Sequence, residues 1–464
     1  MFEKLTQLRP DDPKAFYRLA ECYQSLGRLA DGVSALERSV RLAPEAAPSH
    51  LRLGIAYAAM DRDADAIAAL ENALERDSSL IQGQRAIAAL YEKRGRTREA
   101  VTALRALLRA EDTAENALNL GRCLRALGRL QEAFEVVRRA VRHDPRGVPA
   151  RRLLGGLHLD AGEHDAAIDI FEDLLRRDPE NVETLVVLSA AYLGAKRNDD
   201  ALARLEVALR VSPNHGEAHF YRGIAFEAVD RPNIAIKAYV SATKYGYRTR
   251  DVFYRLAVAL RTLDRLPESL DTFRRTASRW PEDAEVQSAL GGTLRRMNQP
   301  EEAKVAFQRA IKLSPNNAAN YEELAVLCEE RGQLDDAVSA YEKALQLGLE
   351  GSKTYFKLGT LLEGLGRLQQ AVDAYWNAAQ LNGADVEALR RLGIVNMKLS
   401  QFGKATDAFR DALCLAGNDV DLRSNLITSL FTMGETEAAL DQLRFLRTID
   451  KVAADSLVRR LGMT

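Results

Sequence analysis

The 464-residue sequence has few helix breakers and few cysteines. Its 29 glycines and 13 prolines together fall below the roughly 12% of an average protein, which favours helices over turn-rich folds. The four cysteines lie too far apart to suggest a disulfide framework or a zinc knuckle: Cys22, Cys123, Cys328 and Cys414. Isolated thiols of this kind are typical of a reducing compartment.

Long apolar runs and an excess of one charge are also missing. No run approaches the roughly 18 apolar residues of a membrane-spanning helix, and the first residues lack the apolar core of a signal peptide. Lys and Arg number 65 against 66 Asp and Glu, so no basic face for nucleic acid is expected. We therefore expect a cytoplasmic protein with no nucleic-acid partner and no membrane insertion.

What the sequence does contain is a small residue that recurs every 34 residues, with one step of 33. The series is Gly32, Ala66, Ala100, Ala133, Ala167, Ala201, Ala235, Ser269, Ala303, Ala337, Ala371, Ala405 and Ala439. A second small-residue series lies twelve positions upstream, at Ala20, Gly54, Ala88, Gly121, Gly155, Ser189, Gly223, Ala257, Gly291, Ala325, Gly359 and Gly393. Large apolar residues follow both series at spacings of three and four, so each period predicts two amphipathic helices.

Glycine and proline mark the boundaries of each period. A glycine between the two helices suits the left-handed end of the first helix, as at Gly27, Gly95, Gly128, Gly162, Gly332, Gly366 and Gly434. A proline often closes the second helix, because it cannot continue one. A single hairpin cannot bury its apolar face, so stacked copies must form one continuous core.

These positions together resemble the tetratricopeptide repeat over nearly the whole chain. The resemblance implies an all-α solenoid of about thirteen helix hairpins, spanning 13–453, that form a right-handed superhelix with the first helices lining a concave groove. Residues 1–12 fit the register of a second helix, either of a repeat cut short by truncation, which we favour, or of a natural N-terminal cap. The apolar spacing of Ala453, Leu457 and Leu461 predicts a C-terminal capping helix over 453–461.

Catalytic and metal-binding patterns are not found. There is no phosphate-binding glycine loop, and the His215–His219 pair lacks the order of a zinc protease motif. We expect no catalytic residues, no metal and no cofactor. Similarity to the arrays of O-linked N-acetylglucosamine transferases is limited, because their asparagine ladder is absent. The Lys–Asn pair of chaperone-binding repeats is absent too.

The groove positions implied by the resemblance divide into two stretches. A basic stretch contains Arg85, Arg122, Arg125 and Arg152. An apolar stretch contains Val186, Phe220, Ile224, Tyr254 and Val258. An exposed apolar stretch indicates a partner surface, whereas tight curvature would instead bury it within the superhelix.

The resemblance implies a non-catalytic scaffold or adaptor of bacterial type that binds a protein or peptide in its groove. A small Ras-like GTPase or a pilus or secretion component would be partners of that class. The alternative is the substrate-recruiting arm of a larger enzyme whose catalytic domain lies outside this chain. Self-association through the ends of the array is a third hypothesis.

Overall fold

The computed structural model describes residues 2–462, which are helical almost throughout and contain no strand. In chain order the helices are α1 (Phe2–Leu8), α2 (Pro13–Ser25), α3 (Leu29–Leu42), α4 (Ala47–Ala59), α5 (Asp63–Arg76), α6 (Ile81–Lys93), α7 (Thr97–Ala110), α8 (Ala114–Ala126), α9 (Leu130–His143), α10 (Val148–Asp160), α11 (His164–Arg177), α12 (Val182–Gly194), α13 (Asn198–Val211), α14 (Gly216–Ala228), α15 (Pro232–Lys244), α16 (Arg250–Thr262), α17 (Leu266–Arg279), α18 (Ala284–Arg296), α19 (Pro300–Leu313), α20 (Ala318–Glu330), α21 (Leu334–Gln346), α22 (Ser352–Gly364), α23 (Leu368–Leu381), α24 (Val386–Lys398), α25 (Phe402–Leu415), α26 (Val420–Thr432), α27 (Thr436–Ile449) and α28 (Lys451–Leu461).

The helices fall into two blocks, the N-terminal block (Met1–Tyr247) and the C-terminal block (Arg248–Thr464). Within each block an even-numbered helix from α2 to α26 pairs with the helix that follows it, and each hairpin packs on the next. We call the two members of a pair the first and second helix of a repeat. The predicted all-α solenoid of stacked hairpins is therefore confirmed.

The turn inside each hairpin is left-handed in all thirteen repeats. The seven glycines predicted for it have φ between +68° and +83°. In the other six repeats the same position carries Asp61, Lys196, Asp230, Asp264, Asn298 or Ser400, with φ between +54° and +59°. Glycine adopts this conformation without strain, whereas Lys196 and Ser400 are held in it by the two helices they connect.

The connection between repeats is stabilised by a recurring side-chain bond. The fourth residue of a first helix bonds to the backbone carbonyl oxygen six residues earlier, in the preceding loop. The residues that do so are His50 (2.8 Å to Pro44), Gln84 (2.5 Å to Ser78), His219 (2.9 Å to Pro213), Gln287 (3.4 Å to Pro281) and Arg423 (2.5 Å to Gly417). The bond gives a hydrogen-bond partner to a loop carbonyl oxygen that lies outside the helical hydrogen bonding.

The core of a hairpin is a small residue on the first helix facing a large one on the second. A Cβ atom added to Gly223 would lie 2.3 Å from the ring of Tyr239. The same close approach brings Gly155 to Phe171, Gly291 to Phe307, Gly359 to Tyr375 and Gly393 to Phe409. All five rings are fully buried, so the glycine backbone serves as part of the core wall.

The two ends carry one helix each outside the hairpins. The C-terminal helix α28 begins two residues before the predicted 453–461, with Asp450 capping it by accepting from the amide of Ala453. At the other end the Tyr23 hydroxyl donates to Glu3 of α1 at 2.6 Å, as Tyr57 donates to Glu37 of α3 at 2.8 Å. Within residues 2–462 no helix combines the length and apolar character that crossing a bilayer requires.

The adjacent glycines of α18 allow a matched test of the small-residue position. Gly291→Ala should lower the free energy of unfolding by about 1–3 kcal/mol, because the new methyl would meet the Phe307 ring at 2.7 Å. Gly292→Ala should raise it by about 0.5–1 kcal/mol, because its methyl meets only the Arg261 side chain at 3.6 Å. Urea unfolding of both variants measures the difference, and equal effects would contradict the assignment.

Candidate functional site

Every residue of the predicted groove lies on a first helix. Val186, Phe220 and Tyr254 are the fifth residues of α12, α14 and α16, while Ile224 and Val258 are ninth residues. Neighbouring first helices contact one another directly, α8 with α10 and α12 with α14 among them. Their side chains therefore form a continuous surface within each block, which we call the first-helix face.

The basic stretch of the first-helix face is partly neutralised. Arg85 is exposed and pairs with Glu111 at 2.6 Å. Arg125 donates two hydrogen bonds to Asp160, at 2.5 and 3.0 Å, with its guanidinium lying over the backbone of Gly156. Both arginines therefore already have a carboxylate partner within the chain, which their positions in the repeat do not reveal.

The other two arginines of this stretch have different surroundings. Arg122 is exposed and donates to the side-chain oxygen of Asn119 at 2.7 Å. Arg152 is half-buried, and its Nε atom is buried without a hydrogen-bond partner among the described residues. A buried guanidinium nitrogen without an acceptor is costly, which makes Arg152 a position that an acidic group would stabilise.

Two of the five apolar residues offer almost no surface. Val186 is 1% exposed and belongs to an apolar cluster that extends to Ala218 of α14. Phe220 is 7% exposed, with its ring 5.2 Å from Tyr247 and 5.4 Å from Tyr221. The next first helix thus covers Val186, whereas the loop after α15 covers Phe220 through Tyr247.

Ile224, Tyr254 and Val258 stay partly exposed. Ile224 belongs to the N-terminal block, and the other two belong to the C-terminal block. The Tyr254 ring packs against Phe273 with centroids 5.9 Å apart, and the Arg250 guanidinium lies over it at 4.5 Å. Tyr254 is therefore a rigid aromatic side chain with one edge open.

An acid–base network holds Arg250 beside that tyrosine. Arg250 donates to Asp283 at 2.7 and 3.2 Å and also pairs with Glu285 and Asp251. Burial raises the pKa of Asp283, but the hydrogen bonds from Arg250 and from the Val286 amide, with the charge of Arg250, together leave the pKa below its usual value. Burial, with Glu285 nearby, raises the pKa of Tyr254, so its hydroxyl stays protonated.

The two histidines that suggest a metal site have structural roles. His215 caps α14 by accepting from the amide of Ala218 at 3.2 Å. His219 is buried and makes the loop bond to the Pro213 carbonyl. Among residues 2–462 no three His, Cys, Asp or Glu side chains are grouped to hold a metal ion.

Arg222, which replaces the usual leucine of its position, is half-buried and lies over the Phe226 ring at 5.4 Å. The aromatic ring thus faces the guanidinium group, which gives this half-buried cation a favourable cation–π contact.

Sequence reasoning missed a recurring ladder on the other side of the hairpins. A tyrosine of the first helix donates to a glutamate of the preceding second helix, and an arginine five residues later stacks on its ring. The ladder consists of Tyr57 with Glu37 and Arg62, Tyr91 with Glu71 and Arg96, and Tyr192 with Glu172 and Arg197. In the sequence, the constant spacing of 20 residues between the glutamate and the tyrosine is the pattern that indicates it.

The burial of His219 predicts a pH dependence of stability. Desolvation lowers the pKa of His219 below the ordinary value. As the pH falls below about 6.5, the unfolded chain therefore binds more protons at this residue than the folded chain does. Stability from this group is therefore present above about pH 6.5 and is lost as the pH falls through the folded pKa. His219→Gln should reduce this loss while keeping the loop bond, since Gln84 and Gln287 make it elsewhere. Urea midpoints at about pH 5 and about pH 7.5 measure it, and an unchanged pH dependence would contradict the assignment.

Comparisons with known proteins agree with the repeat geometry. Profiles described as tetratricopeptide repeat match residues 124–176 and 158–220 in one form, and 1–47, 17–81, 85–148, 228–284, 289–348 and 356–419 in another. No curated protein matches the chain.

Several solved structures are similar in part. A tetratricopeptide repeat protein from Parabacteroides merdae is 19% identical, with 53% of this chain and 98% of that one covered and a TM-score of 0.40. Pseudomonas aeruginosa pilF is 20% identical, with 45% and 94% covered and a TM-score of 0.39. The APC/C hetero-tetramer Cut9–Hcn1 is 15% identical, with 96% of each chain covered and a TM-score of 0.36. Because the repeat profiles match well over half of its length, the chain belongs to the tetratricopeptide repeat family.

Proposed function

We propose that the chain is a non-catalytic scaffold that holds a segment of a partner protein against its first-helix face. Membership of a family of protein-interaction repeats supports the general role. The observation that carries the proposal is that Tyr254 and Val258 of α16 stay partly exposed on the first-helix face of the C-terminal block. Apolar side chains left open on such a face favour a partner surface.

Tyr254 is the best anchor of this set. Its ring is already fixed by Phe273 and Arg250, so a partner would lose little side-chain entropy on binding it. Rigid aromatic residues next to arginines typically supply most of the binding energy of an interface. The neighbouring Val258 extends the contact by one turn of α16.

The charges of the N-terminal block favour acidic residues in the partner segment. Arg122 has no carboxylate partner among the described residues, and the buried Nε of Arg152 has no acceptor. An Asp or Glu side chain would satisfy both cations. On the N-terminal block the proposed ligand is therefore an acidic segment, and on the C-terminal block it is a segment with an apolar anchor for Tyr254.

The partner classes suggested by resemblance remain part of this proposal. They are a small Ras-like GTPase and a component of a pilus or secretion machinery, met in the cytoplasm. Affinity capture with the full chain, followed by mass spectrometry, identifies the partner and separates these classes from a second copy of the chain.

Once a partner is captured, Tyr254→Ala with Val258→Ala should weaken its binding by more than about 2 kcal/mol, or roughly 30-fold. Phe220 is left intact, because its burial means that truncation would cost stability rather than report on contact. Isothermal titration calorimetry measures the affinity, and circular dichroism checks that helical content is kept.

The matched control is Trp376→Ala on the second helix α23, where the tryptophan is 52% exposed. It removes an exposed aromatic residue from outside the first-helix face and should leave the affinity unchanged. If the double variant binds as tightly as wild type, or if Trp376→Ala weakens binding equally, the first-helix face is the wrong site.

A further inference from the structure

A groove of about 500 Å³ lies between the second helices α5 and α7, over the first helix α6. Its lining consists of Glu71, Leu74, Glu75, Ser78, Gln84, Ile87, Tyr91, Glu99, Thr102, Ala103 and Ala106. All of these residues belong to the N-terminal block, and none lies on the groove side predicted from the sequence. We call this cavity the acidic groove.

The walls of the acidic groove are two regular helix faces. The residues from α5 lie at spacings of 0, 3 and 4, beginning with Glu71, and Ser78 follows in the loop after α5, while those from α7 lie at spacings of 0, 3, 4 and 7 from Glu99. Residues at these spacings share one side of a helix. Seven residues of helix rise by about 10 Å, so the groove accommodates about three extended residues or two turns of a helix.

The floor and the walls differ in chemistry. Leu74, Ile87 and the small Ala103 and Ala106 provide apolar surface between the walls. The charged lining residues are glutamates, and no lining residue is a cation. The groove therefore offers apolar contact in its centre and negative charge at its edge.

The three glutamates are not equally engaged. Glu71 accepts from the Tyr91 hydroxyl at 2.6 Å, and Glu99 pairs with Arg96 at 2.8 Å. Glu75 is exposed and makes no hydrogen bond or ion pair within residues 2–462. Its carboxylate is available to a cation that enters the groove.

Gln84 adds an acceptor at the bottom of the acidic groove. Its side chain is 7% exposed, and its Nε2 atom donates to the Ser78 carbonyl at 2.5 Å. This bond fixes the amide orientation and leaves Oε1 buried without any donor among the described residues. A buried acceptor without a donor is unfavourable, so a ligand that donates a hydrogen bond to it is favoured.

The C-terminal block contains an equivalent groove of about 600 Å³ between α17 and α19. There Arg274 replaces Glu71, Ser278 replaces Glu75 and Arg309 replaces Ala106. The glutamine is retained as Gln287, whose Nε2 atom donates to the Pro281 carbonyl at 3.4 Å. The groove shape and the glutamine thus belong to the repeat, whereas the negative charge belongs to the acidic groove.

We propose that the acidic groove binds a short segment of a partner protein in which a lysine or arginine is flanked by apolar residues. The cation would donate to Glu75 and to the Oε1 atom of Gln84, and its apolar neighbours would cover Leu74 and Ile87. Such a segment is opposite in charge to the one proposed for the first-helix face. The two surfaces therefore select different ligands.

The test uses the full chain and two fluorescein-labelled probes of six residues. One alternates leucine with arginine, and the other alternates leucine with glutamate. Fluorescence anisotropy should show that the leucine–arginine peptide binds at below about millimolar concentration and that added salt weakens it. The leucine–glutamate peptide should bind at least about tenfold more weakly to the groove.

Substitutions locate the binding. Glu75→Lys should weaken the leucine–arginine peptide about fivefold or more, without disturbing an internal bond. Gln84→Arg should weaken it about tenfold or more, because it replaces the acceptor by a donor. The loop bond survives that change, since Arg423 makes it to Gly417 in the last repeat.

Ser278→Lys is the matched control, because it places the same charge at the equivalent position of the other groove and should leave the affinity unchanged. The proposal is overturned if neither peptide binds at about millimolar concentration, or if Glu75→Lys and Ser278→Lys act alike. It is also overturned if the leucine–glutamate peptide binds as tightly as the leucine–arginine peptide. Binding that is lost only in the Tyr254→Ala and Val258→Ala variant would assign the peptide to the first-helix face instead.

Discussion

The close approach of two helix backbones within each hairpin is the contact on which the other features depend. A glycine in a helix interior costs about 1 kcal/mol relative to alanine, yet five of the first helices keep one against a fully buried ring. In return, the apolar surface of the ring is fully removed from water, which contributes about 2–3 kcal/mol to the stability of the fold. Because the contact needs only one small and one large residue per repeat, it fixes the hairpin and leaves other positions open to change.

Positions outside that contact therefore carry what distinguishes one repeat from another. The fifth and ninth residues of the first helices vary from Arg85 and Arg152 to Tyr254, while the hairpin geometry stays the same. On the second helices the same variation turns one groove acidic and gives its counterpart Arg274 and Arg309. Repetition thus supplies stability, and departures from repetition supply recognition chemistry.

The sequence predicts the hairpins well because their signals are local and recur thirteen times. It predicts the candidate site less well because the decisive neighbours come from another repeat. Arg125 finds Asp160 35 residues away, and Phe220 is covered by the unusual Tyr247 that follows its own second helix. The period assigns a residue to a position, but it does not say which neighbour closes over it. The spare oxygen of Gln84 is invisible for the same reason, since it depends on a bond to the Ser78 carbonyl.

The separation of the two proposed surfaces follows from the same architecture. In a stack of hairpins each repeat contacts only its neighbours, and the acidic groove and the Tyr254 region lie in different blocks. Energetic effects of sites that share no neighbours are usually additive. The acidic groove and the Tyr254 region should therefore bind their segments independently. A scaffold with two independent sites can hold two different partners at once, and a single-surface adaptor cannot.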